Sequence, residues 1–126
     1  MTRVVHFEIH ASDPAKLVAF YSAVFDWKLN AVPGMEYWMI DTGAGEGIHG
    51  GLMRRHGEKP ADGQPVNAYV CSVAVPSVDD YVKRATGAGA TIALPKMAIP
   101  HVGYQAYVKD PDGNILGLHQ ADPSAK

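Results

Sequence analysis

Four residues of this chain have the types and spacing to do chemistry together: His6, Glu8, His49 and His119. In "VVHFEIHA", residues 4–11, Val5, Phe7 and Ile9 alternate with His6, Glu8 and His10. That alternation marks a strand buried on one face only. Its polar side reads imidazole, carboxylate, imidazole, where water usually meets Lys, Thr or Ser. In "GIHGGLMRR" and "NILGLHQ", His49 and His119 each stand two residues from a glycine, Gly51 and Gly117. Residues two apart share a strand face, with side chains about 6.6 Å from each other. If both glycines face the space that His6 faces, three imidazoles and Glu8 point into it. Zinc accepts such a set, and divalent iron or manganese would suit it. Without a metal, Glu8 in a partly dry cavity is a candidate general base with His6 beside it. The plainer role is a half-solvated wall residue, and we expect Glu8 to line a pocket in either case.

Bulk properties narrow the field. The chain has 126 residues, 47% hydrophobic and 19% charged, which suits one globular domain with a modest core. Its formal charge is −2 and its densest basic stretch, "MRRHGEK", is short and carries Glu58. Nucleic acid and anionic membrane are therefore not expected partners. Cys71 is the only cysteine, which excludes an intrachain disulfide and a Cys-based zinc site. No apolar run approaches ~18 residues and "MTRVVHFE" has no apolar signal core, so a cytoplasmic protein is expected.

The elements that must position these residues are legible. Asp13-Pro14 is a helix start, a capping carboxylate followed by the residue best tolerated at the first helical position. Leu17, Phe20, Tyr21 and Val24 then recur at helical spacing and form one apolar face. "WKLNAV", "MEYWMIDTG" and "GIHGGLMRR" read as strands, with a turn at "PG" and a glycine-rich hairpin around Gly43–Gly47. Residues 56–65 are polar and rich in Pro and Gly, a linker that holds a solvated His56. The order then begins again. "VNAYVCSVAV" is a strand and "PSVDDYVKRATGAG" a helix capped by Ser77, with Asp80 three residues on. "ATIALP", "VGYQAYVKD" and "NILGLHQ" are strands, "PDG" is a tight turn, and 121–126 is a flexible tail.

Both halves thus read strand–helix–strand–strand–strand, module one over 3–55 and module two over 66–120 of one domain, 1–120. Gly51-Leu52-Met53 falls on Gly117-Leu118-His119 when the two are laid together. The fold class expected is α+β: two βαβββ modules forming a curved mixed sheet, with helices outside and a cavity inside. Parity leaves open which of Tyr37, Trp38, Met39, Tyr104 and Gln105 face that cavity. The lining set we expect is His6, Glu8, Trp38, His49, Gly51, Tyr104, Gly117 and His119. Trp38 would offer a stacking wall, and the two glycines would leave room at the floor. His101, in "IPHVGYQ", belongs to an exposed loop at the cavity mouth.

This paired pattern resembles the vicinal oxygen chelate superfamily, which includes glyoxalases, bleomycin-resistance proteins and extradiol dioxygenases. The resemblance rests on "VVHFEIHASDPAKLVAFYSAVFDWKL", with its "FY…FDW" run, and on the closing "VKDPDGNILGLHQ". It covers residues 3–120 and implies the fold more specifically than the chemistry. It also implies metal ligands on the first and last strands of each module. The first-strand position of module one falls on His6, and its counterpart falls near Tyr69 or Val70. The last-strand carboxylate positions fall on Gly51 and Gly117, which have no side chain to offer. The family's usual metal site is therefore not expected, and no cofactor is.

Three readings follow. The first is a metal-free protein that binds or sequesters a small molecule, of the resistance type and a homodimer by resemblance. The second is a metal-dependent lyase, isomerase or dioxygenase with a shifted His6/His49/His119 site holding one divalent ion (Zn, Fe or Mn). The third is a metal-free acid–base enzyme using Glu8 and His6.

Overall fold

The computed structural model describes residues 3–126. It divides into two compact units, one ending at Lys59 and the other running from Pro60 to Lys126. Each is a βαβββ module with a four-stranded mixed sheet, so the chain is α+β as expected.

The first unit runs β1 (Phe7–Ala11), α1 (Pro14–Phe25), β2 (Lys28–Ala31), β3 (Tyr37–Asp41) and β4 (Gly50–Arg54). Its sheet order is β1-β4-β3-β2, with β1 parallel to β4 and the other pairs antiparallel. The α1 helix starts where the sequence says it should. Asp13 accepts the Lys16 N–H at 3.3 Å and Pro14 occupies the first turn. It stops at Asp26, a left-handed residue with φ 58° whose N–H reaches the Ser22 carbonyl. Leu17, Phe20, Tyr21 and Val24 are buried. Just beyond the helix, Trp27 stacks on Tyr21 and Phe25 and tilts against Phe7 of β1. The side of the sheet that carries Phe7, Ile9, Ile40 and Leu52 is therefore the helix side.

In the second unit the elements are β5 (Ser72–Ala74), α2 (Val78–Gly87), β6 (Thr91–Ile99), β7 (Gly103–Lys109) and β8 (Ile115–Ala121). The sheet order β5-β8-β7-β6 repeats that of the first unit. Ser77 caps α2 by accepting the Asp80 N–H at 3.1 Å. Gln120 Oε1 accepts the Val78 N–H at 3.0 Å, which places α2 over the side of β8 that carries Leu116 and Leu118.

Three details depart from the sequence reading. First, β5 is only three residues long, because 60–71 has no regular structure. Second, β6 runs on to Ile99, straight through Pro95. It is an edge strand with register irregularities at Ile92/Leu94 and Leu94/Met97, and an edge tolerates the missing N–H. Third, the closing residues expected to be loose are tied down. Asp122 N–H bonds the Val102 carbonyl, the Ala125 carbonyl accepts from His101, and Ala125 is buried. The "DPDGN" turn is as expected: Asp110 accepts from the Asp112 and Asn114 N–H groups, and Gly113 takes the left-handed position at φ 86°.

Candidate functional site

Strand parity and register decide what shares a face with Glu8. In the first unit Glu8 pairs with Gly51, Gly51 with Met39, and Met53 with Tyr37. The side opposite α1 therefore carries Glu8, Gly51, Met53, Tyr37 and Met39. Tyr37 leans across Gly51. Its hydroxyl donates to Glu8 Oε2 at 3.3 Å and lies 3.0 Å from His6 Nε2. With the single hydroxyl proton committed to Glu8, His6 Nε2 is the donor to the phenol oxygen. His10 Nε2 lies 3.4 Å from the other carboxylate oxygen. Glu8 is thus the acceptor at the centre of a surface network, its side chain 42% exposed. The Tyr37 pKa is raised, first by loss of water around it and then by the Glu8 charge and hydrogen bond. It stays protonated and remains a donor at neutral pH.

The second unit repeats this arrangement with different residues. Ser72 pairs with Gly117 as Glu8 pairs with Gly51, and Gln105 pairs with His119 as Tyr37 pairs with Met53. Gln105 leans over Gly117 as Tyr37 leans over Gly51. Its Nε2 donates to Ser72 Oγ at 2.9 Å, and its Oε1 lies 2.9 Å from His119 Nδ1. Because an amide oxygen only accepts, Nδ1 carries the His119 proton. In each unit a side chain from the middle strand bridges a glycine and ties up the first-strand residue next to it.

The expected lining set is sorted by these contacts. His6, Glu8 and Gly51 come together on one face in the first unit, and Gly117 and His119 do so in the second. His49 shares the face of Gly51 but closes the β3–β4 loop: Nδ1 accepts the Thr42 N–H at 3.1 Å and lies 3.6 Å from Asp41. Trp38 and Tyr104 are corrections. Trp38 pairs with Leu52, whose side chain is fully buried on the helix side. Tyr104 pairs with Gln120 and lies under Lys96, which is itself bonded to Asp79 of α2. Both aromatics are on the faces that carry the helices. His101 is exposed and left-handed at φ 65°, and His56 is exposed as expected.

The glycines are corrections too, since the space over them is filled. A Cβ on Gly51 would meet the Tyr37 hydroxyl and lie 2.6 Å from its ring. On Gly117 it would meet Ser72 Oγ and lie 2.6 Å from Gln105 Nε2. Sequence reasoning left Tyr37 and Gln105 open, because the connections 42–49 and 110–114 break the parity count between β3 and β4 and between β7 and β8, and it did not single out Ser72.

A metal does not fit the positions where the family resemblance places its ligands. Of those four, His6 has a ligating side chain. Register puts its counterpart at Val70, two residues before Ser72 as His6 is two before Glu8. The remaining two are Gly51 and Gly117, where neighbours occupy the room that a carboxylate would need. Nor do the described residues gather three or more His, Cys, Asp or Glu side chains into a metal-binding group. No helix among them is long and apolar enough to cross a membrane.

The second unit also holds an open groove of about 550 Å³ on the helix-free side, between the ends of β6, β7 and β8 and the 63–70 segment.

Solved structures share this architecture. A glyoxalase/bleomycin resistance protein/dioxygenase family enzyme from Burkholderia phytofirmans PsJN is 21% identical, with 93% of this chain and 97% of that one covered at a TM-score of 0.71. TioX from Micromonospora sp. ML1 is 23% identical, covering 96% and 100% at a TM-score of 0.67. A mutant of the fosfomycin resistance protein FosX from Listeria monocytogenes, complexed with Mn(II) and 1S,2S-dihydroxypropylphosphonic acid, is 18% identical, covering 94% and 90% at 0.71. At these identities the likeness is one of fold. No curated protein matches the chain in sequence. Residues 3–118 match the family model of the Glyoxalase/Bleomycin resistance protein/Dioxygenase superfamily, and the chain belongs to that superfamily.

Proposed function

We propose that this protein binds a small molecule on the helix-free faces of its sheets, and that it does so without the metal its family's usual ligand positions would hold. One observation carries the reading: in both units the last-strand ligand position is a glycine, and a bridging side chain, Tyr37 or Gln105, fills the space above it. A donor–acceptor network stands beside each of the two glycines. Networks of this kind orient polar groups on a ligand that apolar walls hold. A cytoplasmic homodimer is part of the proposal, supported by the small size of the chain and its single unpaired cysteine.

The test is the metal content of tag-free protein grown with zinc, iron and manganese supplied, beside His6→Ala. We expect well under one equivalent of metal in both, followed by binding of a small molecule that is returned unchanged. Near-stoichiometric metal that is lost in His6→Ala would overturn the reading.

A second reading is favoured by the Tyr37–Glu8–His6 contacts. A phenol held protonated beside a carboxylate is equipped to pass a proton to and from a substrate oxygen or carbon. In that case Glu8 is the base, Tyr37 the acid, and His6 orients the phenol. Turnover with a bell-shaped pH profile, unchanged by chelator and abolished in Glu8→Gln, distinguishes it from binding alone.

A further inference from the structure

The groove of the second unit has a chemistry of its own. Its walls are mostly apolar: Val66, Val70, Leu94, Tyr107 and Ile115 line it. Val66, Val70 and Leu94 are exposed, although side chains of this kind are ordinarily buried. Lys109 is the only charged residue in the lining. It is half-buried at the end of β7, paired through the backbone with Thr91 and Ile115. Among the described residues it makes no ion pair, whereas Lys96 and Arg54 are paired with Asp79 and Glu36. The nearest acid in sequence, Asp110, is committed to its turn, accepting from Asp112 and Asn114. An uncompensated ammonium at the edge of an apolar groove, with no carboxylate in the lining, selects by charge. The volume, about 550 Å³, suits one small organic molecule.

From this we infer that the groove takes a small apolar anion, an aromatic or branched carboxylate whose acid group pairs with Lys109 and whose body lies against Val66, Val70 and Leu94. The inference rests on the reading that the helix-free faces bind small molecules, and it adds the ligand class.

The experiment compares three probes of one shape and different charge: 1-naphthoate, its methyl ester, and 1-naphthylmethylammonium. Each is titrated into the full chain and followed by calorimetry and by amide chemical shifts. Naphthoate is expected to bind best, the ester about tenfold or more weaker, and the ammonium weakest. Shifts should centre on Leu94, Tyr107 and Lys109. In Lys109→Met the naphthoate affinity should fall to that of the ester, while the ester's own affinity holds. Because Leu94 is exposed, Leu94→Asp should leave the fold intact and exclude naphthoate and its ester. If the ester binds as tightly as naphthoate, or Lys109→Met leaves the preference in place, the anion assignment is overturned while small-molecule binding stands. Should none of the three shift any groove amide, the groove is not a ligand site. A loss of self-association in Leu94→Asp would then mark it as a contact between copies.

Discussion

The Tyr37 hydroxyl donates to Glu8 Oε2 at 3.3 Å, across the place that any side chain on Gly51 would occupy. The contact links three positions on three strands and is reproduced in the second unit by Gln105, Ser72 and Gly117. Two modules with different residues have reached the same local solution. Each has a glycine on the last strand and a middle-strand side chain filling the space above it.

If Tyr37 fills the gap over Gly51, the two residues must be energetically coupled. Gly51→Ala should destabilise the protein by about 1–3 kcal/mol, the usual cost of crowding a filled site. In a Tyr37→Ala background the same change should cost much less. A double-mutant cycle by urea denaturation measures the difference, and additive effects would show that the ring does not hold this space.

The raised Tyr37 pKa has a sign that can be checked. A tyrosine whose folded value lies above its ordinary 10.0 contributes stability in its neutral form. That contribution is full below pH 10 and is lost as pH rises through the folded value. Absorbance titration of phenolate should therefore lose a late-ionising tyrosine in Tyr37→Phe. In Glu8→Gln the same group should ionise earlier but stay somewhat late, because loss of hydration is the larger cause and remains.

Gly103 makes a different prediction, since the obstacle there is backbone. A Cβ would run into the Gln120 carbonyl and lie 3.1 Å from the Ala121 Cα, neither of which can rotate away. Gly103→Ala should cost at least the ~1–3 kcal/mol of ordinary overpacking and open the β7–β8 pairing. Gly87→Ala is the control. Its Cβ meets nothing at the end of α2, so it should be neutral or stabilise by up to ~1 kcal/mol. Thermal melts of the two variants test both.

Asp122 ties down the C-terminal residues, and its pKa is lowered by the Ser124 hydroxyl and then by the Ser124 N–H. A lowered carboxylate contributes stability above its ordinary value of 3.8, and loses it as pH falls through the folded value. Protection of the Ser124 amide, its exchange rate taken relative to that of a free peptide, should fall over that acidic window. Ser124→Ala should move the onset to higher pH.

Local physics is what made much of this chain readable. Asp13-Pro14 and Ser77 start helices because a capping oxygen and a fixed φ act over three or four residues, whatever lies elsewhere. The "DPDGN" turn is likewise self-contained, held by Asp110 on its own neighbours. The repeat was readable through Gly51 and Gly117, and the registers confirm that alignment residue by residue. Strand limits were less readable. Pro95 looked like the end of β6, yet an edge strand carries it, and whether a strand lies at an edge is a property of the sheet.

By itself the sequence determined the two βαβββ modules, their helix starts and the polar character of the first strand, because periodicity and capping are written in adjacent residues. It also put glycine at 51 and 117, where the family resemblance places two ligands. Only the tertiary structure decided which aromatics share a face with Glu8, placing Tyr37 there and leaving Trp38 and Tyr104 on the helix sides. It also decided that the glycines are covered and not open. The physical reason is common to both: a one-residue change of register reverses every side chain, and register across a long loop is set by packing against the helix.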